Sequence, residues 1–462
     1  MNTTYIVRSV VAVAAVSILG SCGIYKKYET PTSTPLTKEY AEALTQTPDS
    51  TALGNLSWQT LFTDPKLANL IESALANNTN LRNAQLNVEV AQANVLGARL
   101  SYLPYVALAP NGAAASYAGS DLSWTYQLPA QLSWEIDIFG KLLNSKRGAK
   151  AALLKSEAYS SAVRSQIIAG VANTYYAIAA VRQQLNLSRN TAALWKETVQ
   201  TMRDLKEGGR GVTEAAVVQS AANYYSILAS ITDLETTLDQ LNNTMSLLQN
   251  TLPQEWDVTD RVDLSVPEVL YSGIPMAELA LRPDVAAAEQ DLAAAYYATA
   301  SARAAFYPGL SISVAGGFTN LLGSFIKNPG DWFYQLAGSL TAPLFSRGQN
   351  IARLKASKVQ QQQAMNNFEY ALLNAASEVN DALTVYAKSR EKSALLVEQV
   401  ANLEKSVEYT RDLMLYSTGS TSYLEVLTAQ QGLLNAQINQ ITTELARARS
   451  IINLYQALGG GR

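Results

Sequence analysis

Between Ser123 and Phe139 the chain alternates strictly. Trp124, Tyr126, Leu128, Ala130, Leu132, Trp134, Ile136 and Ile138 take the even positions, and polar residues or Pro129 take the odd ones. Alternation of this length describes a β-strand with one apolar face and one wet face. About ten such residues, tilted by about 45°, cross the hydrocarbon layer of a bilayer, and tryptophan and tyrosine suit its interfaces. A strand of a soluble β-sandwich alternates equally well, so the neighbouring sequence has to decide between the two. It begins to do so at once, because Phe139-Gly140-Lys141 leads into some sixty proline-free, helix-favouring residues.

That helix is expected from about Lys141 to Lys206. At 1.5 Å per residue it is roughly 100 Å long, far beyond the core of one globular domain. The glycine-rich stretch Gly208-Gly209-Arg210-Gly211 then reverses the chain. The return helix, Thr213 to about Asn250, sets Val217, Ser220, Tyr224, Ile227, Ile231, Leu234, Leu238, Leu241, Met245 and Leu248 at spacings of three and four, the seam of a coiled coil.

The same plan occurs twice. A helical stretch from Asp64-Pro65 to about Leu100 precedes a first strand, Tyr105 to Tyr117, and Asp284 to Pro308 aligns with Asn80 to Pro104. Leu310, Ile312 and Val314 begin another strand, and Trp332, Tyr334, Leu336, Leu340 and Leu344 share one face of the next. This strand leaves through Phe345-Ser346-Arg347-Gly348 into a helix from about Asn350 to Tyr416, a turn at Ser417–Ser420, and a final helix with Leu427, Leu434, Ile438, Leu445 and Ile452 on its seam. Glu214 and Gln219 match Glu425 and Gln430 across the repeats. The expected organisation is a signal peptide over 1–21, an extended tether over 22–63, and two repeats over 64–270 and 271–462.

The N-terminus carries one charge, Arg8, an apolar run from Val10 to Leu19 too short to span a membrane as a helix, and then Leu19-Gly20-Ser21-Cys22. Cys22 is the only cysteine, which excludes a disulfide within one chain and a cysteine metal cluster. The chain has no histidine, the commonest general base and metal ligand. No nucleophile, base and orienting group assemble from its motifs, so neither an enzyme nor a cofactor is expected. A net charge of −3 gives no sign of a nucleic-acid binder. After the signal no apolar stretch is long enough for a membrane helix. If the chain enters a membrane, it does so by strands.

Two strands per repeat make four per chain, whereas the smallest transmembrane barrels have about eight. An open sheet in lipid would leave backbone groups along its edges unsatisfied. Edge closure therefore demands several copies, and three would supply twelve strands; closure alone leaves the number open.

Leu19-Gly20-Ser21-Cys22 resembles a bacterial lipobox, and Gly23 after the cysteine favours the outer membrane. The segments Trp134-Glu-Ile-Asp-Ile-Phe-Gly140, Leu281-Arg-Pro-Asp-Val285, Tyr307-Pro308 and the closing hairpin from Gly419 to Gln430 resemble those of the TolC-type outer-membrane efflux proteins, in the lipid-anchored branch paired with resistance-nodulation-division pumps. The resemblance covers essentially the whole mature chain. It implies a mostly α fold with a membrane β-barrel: a homotrimer with twelve strands in the outer membrane, a helical tunnel through the periplasm, a lipid on Cys22, and an adaptor protein joining it to an inner-membrane pump. The implied function is passive export of small molecules. A type I secretion channel shares the fold, and a pore-less coiled-coil lipoprotein would explain the helices but not the repeated strands.

The resemblance also places a pore constriction at the second hairpin turn, with Glu425 at an acidic ring position and Tyr416 at a tyrosine latch position. Thr428 and Thr421 stand where other members carry a second acid and a latch arginine, and Arg210 on the first turn is a candidate replacement cation. The turns at Gly208 and Gly419 are expected to dock the adaptor. A ring of Glu425 carboxylates would favour cations and repel itself. The same residue is equally a first-turn carboxylate complementing a helix dipole.

Overall fold

The structure, a computed structural model, describes residues 25–45, 53–116, 119, 121–209, 211–264, 276–320, 331–343, 345–416 and 423–462. Its elements, in chain order, are α1 (Pro35–Ala43), α2 (Trp58–Leu61), α3 (Pro65–Asn77), α4 (Thr79–Leu100), β1 (Tyr105–Leu108), β2 (Asn111–Ala115), β3 (Ser123–Ile136), α5 (Lys141–Glu207), α6 (Glu214–Leu248), α7 (Met276–Leu279), α8 (Pro283–Ala304), β4 (Gly309–Thr319), β5 (Asp331–Thr341), α9 (Gln349–Tyr416) and α10 (Tyr423–Ala457). Among these, no helix is long and apolar enough to cross a membrane.

The elements fall into two compact units that cut across the sequence repeats. One takes the chain up to Lys38 with Leu86–Ala158 and Ala286–Ala371; the other takes Glu39–Gln85, Tyr159–Val285 and Leu372–Arg462. Each unit thus draws matching pieces from both halves of the chain.

The first unit holds one antiparallel sheet in the order β1–β3–β4–β5, with β2 also on β3. The first strand, expected unbroken from Tyr105 to Tyr117, is interrupted at Ala109-Pro110, where proline supplies no amide hydrogen. Both pieces keep pairing with β3, Leu108 opposite Ala130 and Asn111 opposite Gln127. Pro129, in the middle of β3, faces Gly317 on β4. A side chain on Gly317 would start 2.1 Å from the Leu128 carbonyl oxygen, so glycine is required for the two backbones to approach.

The motif Trp134 to Gly140 is a joint between strand and helix. Trp134 Nε1 donates to the Tyr102 carbonyl at 2.9 Å, Lys141 pairs with Glu135 at 2.8 Å, and Asp137 Oδ2 accepts the Leu143 amide at 2.8 Å. Gly140 turns the chain at φ 67°, in the left-handed region that a side chain disfavours. Phe139 stacks on Tyr307, ring centroids 4.9 Å apart. Two motif segments distant in the chain therefore meet at one place.

The segment 22–63 is not the extended tether expected, and its first residues, Cys22 included, lie outside the described ones. Arg147 Nη1 donates to the Tyr25 carbonyl at 3.0 Å, the Tyr28 amide to Tyr297 Oη at 3.1 Å, and Thr30 Oγ1 to Glu289 Oε1 at 2.6 Å. Further on, α1 and α2 form, with Tyr40, Trp58 and Phe62 buried. Its aromatics and threonines give this Thr- and Pro-rich stretch the surface to dock.

The second unit carries the middle and far parts of the long helices. The single helix expected over 64–100 breaks at Asn78, whose Oδ1 accepts the Asn80 and Leu81 amides and restarts the chain as α4. Its Nδ2 donates to the Leu248 carbonyl at 2.9 Å, so the break ties α3 and α4 to the end of α6. Asp64 caps α3 and also receives the Tyr175 hydroxyl at 2.5 Å. Burial, reinforced by that bond, pushes the Tyr175 phenol well above its usual range. Of the seams read from sequence, Val217, Ser220, Ile227, Ile231 and Met245 on α6 and Leu427, Leu434 and Ile452 on α10 are buried, while Tyr224, Leu234, Leu238, Leu241 and Leu248 of α6 and Ile438 and Leu445 of α10 are half-buried.

Leu281-Arg-Pro-Asp-Val285 is a knot of charge. Arg282 is only 5% exposed; its Nη1 donates to the Ala457 carbonyl at 2.8 Å and its Nη2 reaches Asp284 at 2.7 Å and Glu378 at 2.6 Å. Burial alone would lower its pKa, but hydrogen bonds and charge from Asp284 and then Glu378 raise it, so it stays protonated. Gly459, at φ 76°, passes so close that a Cβ there would lie 3.3 Å from Arg282 Cα.

Two outcomes follow. Arg282→Ala should destabilise the protein by about 1–3 kcal/mol, because it leaves the Ala457 carbonyl without its buried donor and removes two ion pairs to half-exposed carboxylates; denaturant unfolding in detergent measures this, with Arg282→Lys recovering part. Gly317→Val should suppress β3–β4 pairing and reduce the share of folded protein in the membrane fraction, read from gel mobility before and after heating.

Candidate pore constriction at the hairpin turns

The first turn follows directly from local sequence. Helix α5 ends at Glu207; the Gly208 amide still bonds the Asp204 carbonyl at 2.9 Å, and Gly209 bonds Lys206 at 3.0 Å. Gly209 and Gly211 take φ of 67° and 75°, and Thr213 then caps α6 by accepting the Ala216 amide. Lys206 pairs with Glu214 across the turn, an ion pair that the spacing of the seam residues gave no reason to single out. It complements both helix ends, a cation at a C-terminus and a carboxylate at an N-terminus. Arg210 lies outside the described residues.

Tyr416 is the last residue of α9 and Tyr423 the first of α10, so Gly419 and Thr421 fall outside the described residues. Glu425 is in the first turn of α10 and exposed, while Val426 and Leu427 beside it are 2% and 3% exposed. Its carboxylate therefore points away from the seam. The structure places Tyr416 at the end of α9, Glu425 in the first turn of α10, and Gly208 directly after α5.

What holds Glu425 in place is a cluster that the seam pattern only half disclosed. Leu427 and Leu434 of α10 pack with Val181, Leu185 and Trp195 of α5 and with Ile227 and Ile231 of α6. Trp195, 1% exposed, lies in a buried row of α5 that runs Val181, Leu185, Ser188, Ala192, Trp195, Val199 and Met202 at spacings of three and four. At about 25 cal/mol per Å² of apolar surface, a buried indole of this kind contributes several kcal/mol of packing. The start of α10 is thereby fastened to both helices of the first hairpin.

Comparison with known proteins fits this arrangement. The family model described as "Outer membrane efflux protein" matches residues 70–251 and again 274–460. The cation efflux system protein CusC of Escherichia coli O6:H1 is 30% identical over 415 residues, 88% of each chain. The probable outer membrane lipoprotein SilC of Salmonella typhimurium is 28% identical over 462 residues, 97% of this chain and 98% of its own. Among solved structures, the outer-membrane channel OprN superposes with a TM-score of 0.83 at 25% identity, over 94% of this chain and 98% of its own. The chain belongs to the outer membrane efflux protein family and is an efflux channel of the outer membrane.

Proposed function

We propose that three copies of the chain close into a twelve-stranded barrel and a helical tunnel, and that this duct is the exit of a tripartite pump for small molecules. The observation that carries this reading is the sheet. Its apolar row is open to the surroundings, with Trp332 72%, Tyr334 77% and Leu336 71% exposed, and among the described residues its outer strands β1, β2 and β5 each pair on one side only. Lipid satisfies the row and only further strands satisfy the edges.

The duct supplies a path, and the energy comes from an inner-membrane transporter of the resistance-nodulation-division class reached through a periplasmic adaptor that docks at the hairpin turns of Gly208 and Gly419. A lipid on Cys22 adds a second attachment to the outer membrane; the naming of SilC as a lipoprotein supports it. Glu425, exposed beside a packed seam, forms the acidic ring at the tip, with Tyr416, Arg210 and Thr421 around it. The ring favours cations, which accords with the naming of CusC as a cation efflux protein. Chemistry on the transported molecule has no part in this.

Native mass of the detergent-extracted protein, with lipid on Cys22 read from the same sample, tests the assembly: a lipidated trimer is expected, and a monomer that leaves the membrane once its anchor is removed overturns the duct. In planar bilayers Glu425→Ala should lower cation selectivity with the trimer intact. Unchanged selectivity would remove Glu425 from the constriction.

A further inference from the structure

After α10 the chain folds back onto α5 and borders a cavity there. Ser165 Oγ of α5 donates to the Gly460 carbonyl at 2.5 Å. A Cβ on Gly460 would start 2.4 Å from the Tyr455 ring, and one on Gly461, at φ 79°, would start 2.7 Å from Ile168 Cδ1, so glycine is what lets the tail lie this close. Arg462 is then fixed through both terminal nitrogens, Nη1 donating to the Leu281 carbonyl at 3.2 Å and Nη2 to Asn55 Oδ1. A guanidinium that exposure would leave mobile is held in one place.

The cavity beside it has a volume of about 400 Å³, within the range of small-molecule sites. From α5 it takes Ser160, Ser161 and Arg164, and Ser160 and Arg164 share a face one helical turn apart. Leu75 of α3 and Leu81 of α4 supply an apolar wall, and Gln85 an amide. All of these residues lie in the second unit, so one chain completes the cavity.

Its charge is one-sided. Arg164 is half-buried, yet among the described residues it makes no ion pair and no hydrogen bond. Its neighbours one turn away on α5 are Ser160, Ser161, Ile167 and Ile168, none of them acidic. No carboxylate side chain lines the cavity, and the two oxygens that receive Arg462 are uncharged. Both guanidinium groups act on one phenol: burial pushes Tyr455 up to about 12, while the Gly461 backbone, Arg164 and Arg462 pull it down. Two cations near one group repel each other. The serine hydroxyls and the Gln85 amide beside them donate hydrogen bonds but bring no negative charge.

We propose that this cavity binds a small organic oxyanion, its carboxylate or phosphate head held between Arg164 and Arg462 with the hydroxyls of Ser160 and Ser161, and its apolar part against Leu75 and Leu81. The guanidinium fork matches either head group, and a hydrogen bond to a charged oxygen is stronger than one between neutral groups. An inorganic ion would satisfy the cations and leave the leucine wall untouched, so the ligand is organic. Bound there, the anion ties α4, α5 and the tail together. Through Arg462 and the Leu281 carbonyl the tail also reaches the Leu281-Arg-Pro-Asp-Val285 motif, so occupancy stabilises the second unit.

Thermal unfolding of the full-length protein in detergent tests the site. The probes are phenyl phosphate and benzoate, with inorganic phosphate as the head alone and benzyl alcohol as the apolar part alone. Phenyl phosphate or benzoate should raise the midpoint saturably, with inorganic phosphate and benzyl alcohol about tenfold weaker or more. Arg164→Gln should weaken the better probe by about tenfold or more. The same change should leave the unliganded midpoint at or above that of the parent, because it removes a cation that has no partner. Arg164→Glu sets a carboxylate beside Arg462, and should raise the unliganded midpoint and abolish the response. A lower unliganded midpoint for Arg164→Gln would mean that the chain already supplies Arg164 with an anion, and would overturn the site. A response that survives Arg164→Gln, equal binding of inorganic phosphate and phenyl phosphate, or no response to any probe would overturn it as well.

Discussion

A backbone amide or carbonyl in hydrocarbon has no water to turn to, and this constraint governs the whole chain. Among the described residues the sheet has its strands in the order β1–β3–β4–β5, with one free edge on each side. In water such edges are an aggregation liability, managed by charge or proline. In lipid they must be paired. The apolar row of Trp332, Tyr334 and Leu336 on β5 stands exposed beside such an edge, which is the arrangement that a bilayer with further strands would complete.

Much of this was legible because periodicity is a local property. The alternation of Trp124 to Ile138, the seam on α6, and the long proline-free runs are written in neighbouring residues, and the structure has them within one to three residues at their ends. What was less legible depends on partners distant in the chain. Asn78 reads as an ordinary helical residue until its side chain is seen to cap α4 and hold the end of α6. The stretch after Cys22 reads as a tether because it lacks periodicity, yet Tyr28 and Thr30 find Tyr297 and Glu289 some 260 to 270 positions away. Pro110 marked a break that alternation alone passed over.

The candidate constriction divides in the same way. Glu425 could be placed from the repeat, since it matches Glu214, and α10 does begin just before it. That it is exposed follows from Val426 and Leu427 being buried, which the spacing of the seam already implied. Trp195 is less legible because the buried row it belongs to on α5, from Val181 to Met202, runs through Ser188 and Ala192, small residues that blur its apolar stripe. The role of Arg282 escaped for the opposite reason: its motif was conspicuous, but its partners Glu378 and the Ala457 carbonyl lie about 100 and 175 positions away.

Tandem duplication gives one sequence two versions of the same surface, and the chain uses each version differently. At the joint, Phe139 is covered by Tyr307 from the other repeat, whereas Phe345 is left 86% exposed. On the return helices the first repeat has valine and tyrosine at Val218 and Tyr225 where the second has Ala429 and Ala436. Small residues suit a contact made once, within the chain, where two helices approach closely; larger ones suit a surface that must find its partner among separate molecules and hold it by buried area. The difference in side-chain size between equivalent positions thus marks which version of each surface is packed within the chain and which is left open.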